Sequence, residues 1–246
     1  MKNILIFLNP EKKFDEESEM LVKVQIDNSL ELGWKKEDII LATNFNYEYN
    51  GIKSLIIDDK YFYKPFPMSN KITGVICLFE MGIIKEGELY WSHDFDAFQL
   101  EPIIESEIEI SESNIGLCDY NRVNKWNGGS VFFRKGSRDI FEKIKEVMYE
   151  RKARSEPVMY VVSIENEHIR KRITKMNISY NFIPLNIRSR YKEAIKPLKV
   201  VHFHPFRGVR QIGVLNSLEF FKGDNKMETC FLTDRMIKIF NKHGIK

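Results

Sequence analysis

Apolar and polar residues along this chain fall into two periods. Asn3 to Leu8 is a short, nearly continuous apolar run that predicts a buried strand. From Asp15 to Leu32 the apolar positions Met20, Leu21, Val24 and Leu30 recur among charges at the spacing of an amphipathic helix. Ile39 to Ala42 and Ser54 to Ile57 predict two more strands, bounded by charges and Asn-rich turns. Asn70 to Ile84 predicts a helix with Ser69 or Asn70 as N-cap, and Leu89 to Trp91 a strand. Strands alternating with helices through the first hundred residues imply an α/β fold with a mostly parallel sheet covered on both faces.

The second half reads less regularly. Ile103 to Ile110 alternates apolar and acidic residues and predicts an exposed strand. Asn127-Gly128-Gly129 predicts a turn leading into a strand at Val131 to Phe133. Asp139 to Tyr149 carries a helical stripe of Ile140, Ile144, Val147 and Met148, and Val158 to Met176 predicts another helix, with charges gathered at Arg170, Lys171, Arg172 and Lys175. Lys199 to His204 predicts a strand stopped by Pro205, and Asp234 to His243 a closing helix. No repeat or linker divides the chain, so residues 1–246 are expected to form a single domain.

Composition narrows the class. Hydrophobic residues at 43% and charged residues at 30%, without low-complexity tracts, describe a globular protein. The apolar run Ile4 to Leu8 is too short for a signal peptide or a bilayer span. Cys77, Cys118 and Cys230 include no C-x-x-C pair, so neither a disulfide framework nor a cysteine zinc site is expected, and a cytoplasmic setting fits. Charge is uneven: residues 1–120 carry 11 Lys and Arg against 23 Asp and Glu, and residues 121–246 carry 27 against 12. Either the basic half pairs with the acidic one, or it offers a cationic surface to a polyanion.

The candidate chemistry starts at Tyr90-Trp91-Ser92-His93-Asp94-Phe95-Asp96-Ala97-Phe98, an apolar strand that ends in two carboxylates. In an extended segment Asp94 and Asp96 face the same side and suit a hard divalent cation such as Mg²⁺ or Mn²⁺ together with substrate phosphates. The plainer reading is a solvated turn. Asn9 and Pro10 follow the first strand, at the strand end where such sheets bind ligands. Far downstream, His202 and His204 share one face of a strand, as polar core residues or as a further metal ligand.

Three segments in this order resemble the GT-A glycosyltransferases of the nucleotide-diphospho-sugar transferase superfamily. They are Trp91 to Ala97 with its Asp-x-Asp, Trp126-Asn127-Gly128-Gly129-Ser130-Val131-Phe132-Phe133 followed by a helix, and Val201-His202-Phe203-His204. The resemblance implies a Rossmann-like, mostly parallel central sheet flanked by helices, with a smaller C-terminal acceptor-side region. Residues 1–100 would form the nucleotide-sugar half and 101–246 the acceptor-side half. It implies Asp94 and Asp96 as ligands of Mn²⁺ or Mg²⁺, His202 as the third ligand and His204 in reserve. Asn9, Pro10 and Lys71 would border the donor, with Arg207 and Arg210 facing its diphosphate. Asn127, Gly128 and Gly129 would lie at the acceptor. Glu156 stands where related enzymes place an acidic residue, as a base in an inverting reaction or simply as a helix N-terminal carboxylate.

The donor implied is a nucleotide-diphosphate sugar, and the acceptor is open. Lys and Arg of the second half interleave with Tyr180, Phe182, Tyr191, Phe203 and Phe206, a surface suited to phosphate contacts and base stacking. Hydroxymethylated pyrimidine in bacteriophage DNA is one acceptor such a surface would meet; a glycan, lipid-linked or protein acceptor is the other. Two rivals come from other classes. A haloacid dehalogenase-type phosphatase also sets Asp-x-Asp at a strand end, though near the N-terminus, and a non-catalytic nucleic-acid-binding protein would explain the basic half alone.

Overall fold

In chain order, β1 (Lys2–Phe7) is followed by α1 (Glu16–Glu31), β2 (Ile39–Thr43), the hairpin β3 (Glu48–Tyr49) and β4 (Ile52–Lys53), β5 (Leu55–Ile56), α2 (Asn70–Glu80), β6 (Tyr90–His93) and β7 (Ala97–Gln99). Then come β8 (Ile115–Asp119), β9 (Trp126–Phe133), α3 (Arg138–Arg151), α4 (Ser155–Glu165), α5 (Glu167–Arg170), β10 (Ile173–Lys175), β11 (Val200–His202) and α6 (Asp234–Lys242). The computed structural model describes residues 1–120, 125–183, 186, 189–203 and 231–245. These divide into two units that interleave along the chain: Met1–Phe14, Lys35–Asp94 and Ile104–Met176 in the first, and Asp15–Trp34, Phe95–Ile103 and the residues from Asn177 on in the second.

The first unit is built on a seven-stranded sheet of order β10-β8-β9-β6-β1-β2-β5. β1 runs parallel to β2 and β6, and the pairs β2–β5 and β8–β10 are also parallel, while β9 is antiparallel to both β6 and β8. The expected mixed α/β architecture with a mostly parallel sheet is therefore present. β1 reads as continuous apolar sequence because both of its faces are covered: Ile4 and Leu5 are fully buried. Helix α2 lies close enough that a Cβ on Gly74 would sit 2.7 Å from Ile6 Cγ2. It ends at Glu80, short of the predicted Ile84, because Gly82 adopts φ +65° and turns the chain.

Three predicted elements come out differently. Ile103 to Ile110 is not a strand but irregular chain around a single 3-10 turn at Glu105–Glu107, and its alternation reflects burial of Ile103, Ile108 and Ile110. Asn127, Gly128 and Gly129 are not a turn; they belong to β9, which starts at Trp126 and absorbs a register shift between Leu117 and Cys118 of β8. The helix predicted over Val158 to Met176 breaks at Asn166, whose side chain caps α5, and its charged tail forms the edge strand β10.

The second unit packs α1 and α6 with the antiparallel pair β7–β11, in the register His202 to Ala97, Val201 to Phe98 and Val200 to Gln99. Asp15 caps α1 by accepting the Ser18 N–H at 2.8 Å, and Thr233 caps α6. Leu21 and Val24 meet Phe98, Val201, Phe203 and Phe240 in an apolar core, as the predicted stripe requires. Beside that core runs a buried polar seam. Gln25 and Asn28 of α1 donate to backbone carbonyls of the Phe95–Gln99 segment, Arg235 of α6 donates to the Asn28 side chain and to Leu100 O, and Asp27 pairs with Lys242 and His243. Among the described residues no helix is long and apolar enough to cross a membrane.

Candidate active site

Because β1, β2 and β6 are parallel, their carboxyl ends share one edge of the sheet, and β9, running the other way, brings its start to the same edge. Asp94 leaves β6 there, its N–H donating to Gly129 O at 3.0 Å. Lys71, on the first turn of α2, donates to an Asp94 carboxylate oxygen at 2.6 Å and to Gly128 O at 2.7 Å. The Gly128 N–H in turn donates to Glu156 at 3.0 Å. Gly128 is thus held at its N–H and its carbonyl by charged side chains, and a Cβ there would lie 2.9 Å from Met159 Cε, so that a larger residue would have to displace the end of that side chain. Lys71, Asp94, Gly128 and Glu156, separated by up to 85 positions in sequence, form one cluster in the first unit. Glu156 also stands in the first turn of α4, the helix N-terminal position expected of it.

At the same edge Asn9 follows β1 and Asn44 follows β2. The Asn9 N–H donates to Asn44 Oδ1 at 2.9 Å, and Asn44 Nδ2 returns to Asn9 O and reaches Asp59 at 2.8 Å. Lys12 pairs with Asp59, and this bond, ahead of the one from Asn44, holds the Asp59 carboxyl below the ordinary aspartate range. Pro10 is exposed beside them. Asn127 uses its side-chain oxygen to accept the Gly129 N–H at 2.9 Å, while its Nδ2 is buried without a hydrogen-bond partner among the described residues.

Asp96 lies in the second unit. Phe95 and Asp96 form a turn between β6 and β7, so the two aspartates are not on one extended strand as the spacing predicted. The Asp96 carbonyl accepts the Phe203 N–H at 2.8 Å. Its carboxylate lies 3.3 Å from His202 Nε2, on a ring that is 3% exposed. His202 Nδ1 lies 3.0 Å from Asn181 Oδ1. An amide oxygen only accepts, so Asn181 holds a proton on Nδ1 and turns Nε2 toward Asp96. An imidazole whose far nitrogen is fixed by a hydrogen bond, set against a carboxylate, is a donor set suited to a divalent metal. Glu17, on the first turn of α1, has its carboxyl pushed above the ordinary range by burial, and then by Asp15 and Asp96.

Asn181 and Gln25 were not legible as site residues. Asn181 is 21 positions from the ring it orients, and nothing in its spacing marks it. His204, Arg207 and Arg210 lie outside the described residues.

No family model matches the chain, and no curated protein sequence is significantly similar to it. Solved structures do match. The galactosyltransferase LgtC in complex with donor and acceptor sugar analogs superimposes with a TM-score of 0.56 at 12% identity, over 96% of this chain and 99% of that one. An active-site mutant of LgtC gives 0.57 at 11% identity, over 98% and 95%. The glycosyltransferase GlyE of Streptococcus pneumoniae TIGR4 gives 0.50 at 12% identity, where this chain spans 64% of the other. At such identities the likeness is one of fold, and the fold is that of the GT-A glycosyltransferases.

Proposed function

We propose that this protein is a metal-dependent glycosyltransferase that moves a sugar from a nucleotide-diphosphate donor to an acceptor hydroxyl. The observation that carries the reading is the Asp96 carboxylate 3.3 Å from Nε2 of a His202 ring whose Nδ1 is held by Asn181. With Asp94 as the further carboxylate, Asp96 and His202 would hold one divalent ion, with Mn²⁺ or Mg²⁺ the natural occupants. When bound, such an ion supplies Lewis-acid stabilisation of the departing nucleoside diphosphate.

The remaining work falls to the protein. Residues 1–100 hold the nucleotide sugar, with Asn9 and Pro10 bordering the nucleotide, and residues 101–246 face the acceptor. Lys71 offers its ammonium group to the donor from beside Asp94, and Arg207 and Arg210 neutralise diphosphate charge. The acceptor hydroxyl is received at Asn127, Gly128 and Gly129. As its oxygen bonds the anomeric carbon, the sugar–phosphate bond breaks and the nucleoside diphosphate leaves. Glu156 has one oxygen on the Gly128 N–H and the other as the candidate base for the hydroxyl proton in an inverting reaction.

For the acceptor we favour hydroxymethylated pyrimidine in bacteriophage DNA, handled in the host cytoplasm. The excess of Lys and Arg in residues 121–246 supports it. A glycan, lipid-linked or protein acceptor is the alternative. Screening UDP-, GDP- and other sugar nucleotides with Mn²⁺, with and without hydroxymethylcytosine DNA, tests both levels. The expected result is chelator-sensitive release of nucleoside diphosphate, absent in Asp96→Asn and strongly reduced in Asp94→Asn and His202→Ala. Full turnover by Asp96→Asn in EDTA would remove the mechanism. DNA affinity should fall steeply between low and moderate salt, and no DNA binding at low salt would move the acceptor to a carbohydrate.

A further inference from the structure

We infer that Gln25, in the middle of α1, is a positioning residue for Asp96; the inference rests on Asp96 being a metal ligand. Gln25 is fully buried, and its single amide nitrogen donates to two carbonyls, Phe95 O at 2.7 Å and Ala97 O at 3.0 Å. These are the carbonyls on either side of Asp96. The Asp96 carbonyl itself accepts the Phe203 N–H at 2.8 Å, one residue beyond the His202 strand position. Three consecutive peptide oxygens are therefore fixed, two by one side chain and one by the strand that carries the imidazole.

Stability alone does not explain a glutamine here. Its Oε1 is buried without a hydrogen-bond partner among the described residues, a cost that an apolar residue of the same length would avoid. What the apolar residue would lack is the donor that holds Phe95 and Ala97, and with it the direction in which the Asp96 carboxylate leaves a turn that has no ladder of its own. Asn28, one helical turn further on, is an internal control. It is equally buried and donates to Gln99 O at 2.9 Å, on the same segment but three residues past Asp96.

The test compares Gln25→Met with Asn28→Leu and wild type, using Mn²⁺ alone as ligand and titration followed by electron paramagnetic resonance. Gln25→Met should weaken Mn²⁺ roughly 10- to 100-fold, as loss of an outer-shell partner does, while Asn28→Leu loses thermal stability but binds Mn²⁺ like wild type. Gln25→Asn, which keeps the amide but withdraws it by a methylene, should fall between, and it carries the comparison if Gln25→Met does not fold. Unaltered Mn²⁺ affinity in the Gln25 variants would overturn the inference and leave the metal reading intact. If wild type binds no Mn²⁺, the metal reading fails. Hydrogen exchange at the Phe203 amide, which needs no metal, then decides: faster exchange in the Gln25 variants than in Asn28→Leu supports positioning, and equal exchange overturns it.

Discussion

Lys71 holds its ammonium nitrogen 2.6 Å from Asp94, so one of the two candidate aspartates already has a cation against it. The pair is sheltered, with the Lys71 side chain 12% exposed, which leaves the attraction little screened. A second cation brought to Asp94 must work against that charge. Lys71→Met should therefore tighten Mn²⁺ binding by roughly tenfold, about 1.4 kcal/mol, while slowing nucleotide-sugar turnover. Calorimetric titration alongside steady-state rates checks both, and weaker Mn²⁺ binding in the variant would show that Lys71 organises Asp94 rather than opposing the ion.

Asn181 sets the tautomer of His202. Asn181→Leu keeps the volume and removes the acceptor, freeing the ring to turn and to place its proton on Nε2. Mn²⁺ affinity should drop about 10- to 100-fold, with the loss greater than in Asn181→Asp, which still accepts from Nδ1. Equal affinities in the two variants would separate His202 from the metal.

Gly74 marks where α2 and β1 come closest. Its backbone is ordinary helix, so Gly74→Ala gains propensity but drives a methyl to within 2.7 Å of Ile6. The overpacking should prevail and lower stability by about 1–3 kcal/mol, read from urea unfolding midpoints.

Arg172 holds the Asp139 carboxyl below its usual range, chiefly through their hydrogen bond. A carboxyl depressed on folding stabilises the native state above its unfolded pKa of about 3.9, and that contribution fades as pH falls through the lower folded value. Asp139→Asn should thus lower the melting temperature at neutral pH and converge with wild type in acid. Because Asp139 is half exposed, the difference should also shrink with added salt.

Periodicity revealed most elements of the first unit's sheet and both long helices of the second unit, because each buries one continuous apolar face. It failed where polarity is placed for another reason. The edge strand β10 is short and carries Lys175 outward, so it resembles the tail of a helix; the two glycines of β9 look like a turn although Gly128 lies where Lys71 and Met159 crowd the backbone. The Asp-x-Asp and the downstream histidine were legible as candidates. The amides that orient them were not: Gln25 sits on the buried side of α1, a position where the apolar stripe is expected, and no count of hydrophobic residues distinguishes a misplaced polar residue from one that holds a backbone.

The seam that ties α1 to α6 also sets a timetable. Lys242 closes onto Asp27, 215 residues earlier in the chain, and translation at about 5–20 residues per second separates their emergence from the ribosome by roughly 10–40 s. Through that interval Asp27 stays without its Lys242 and His243 partners, while Gln25 and Asn28 can already meet the Phe95–Gln99 segment. Nascent chains stalled before α6 would expose a half-built second unit.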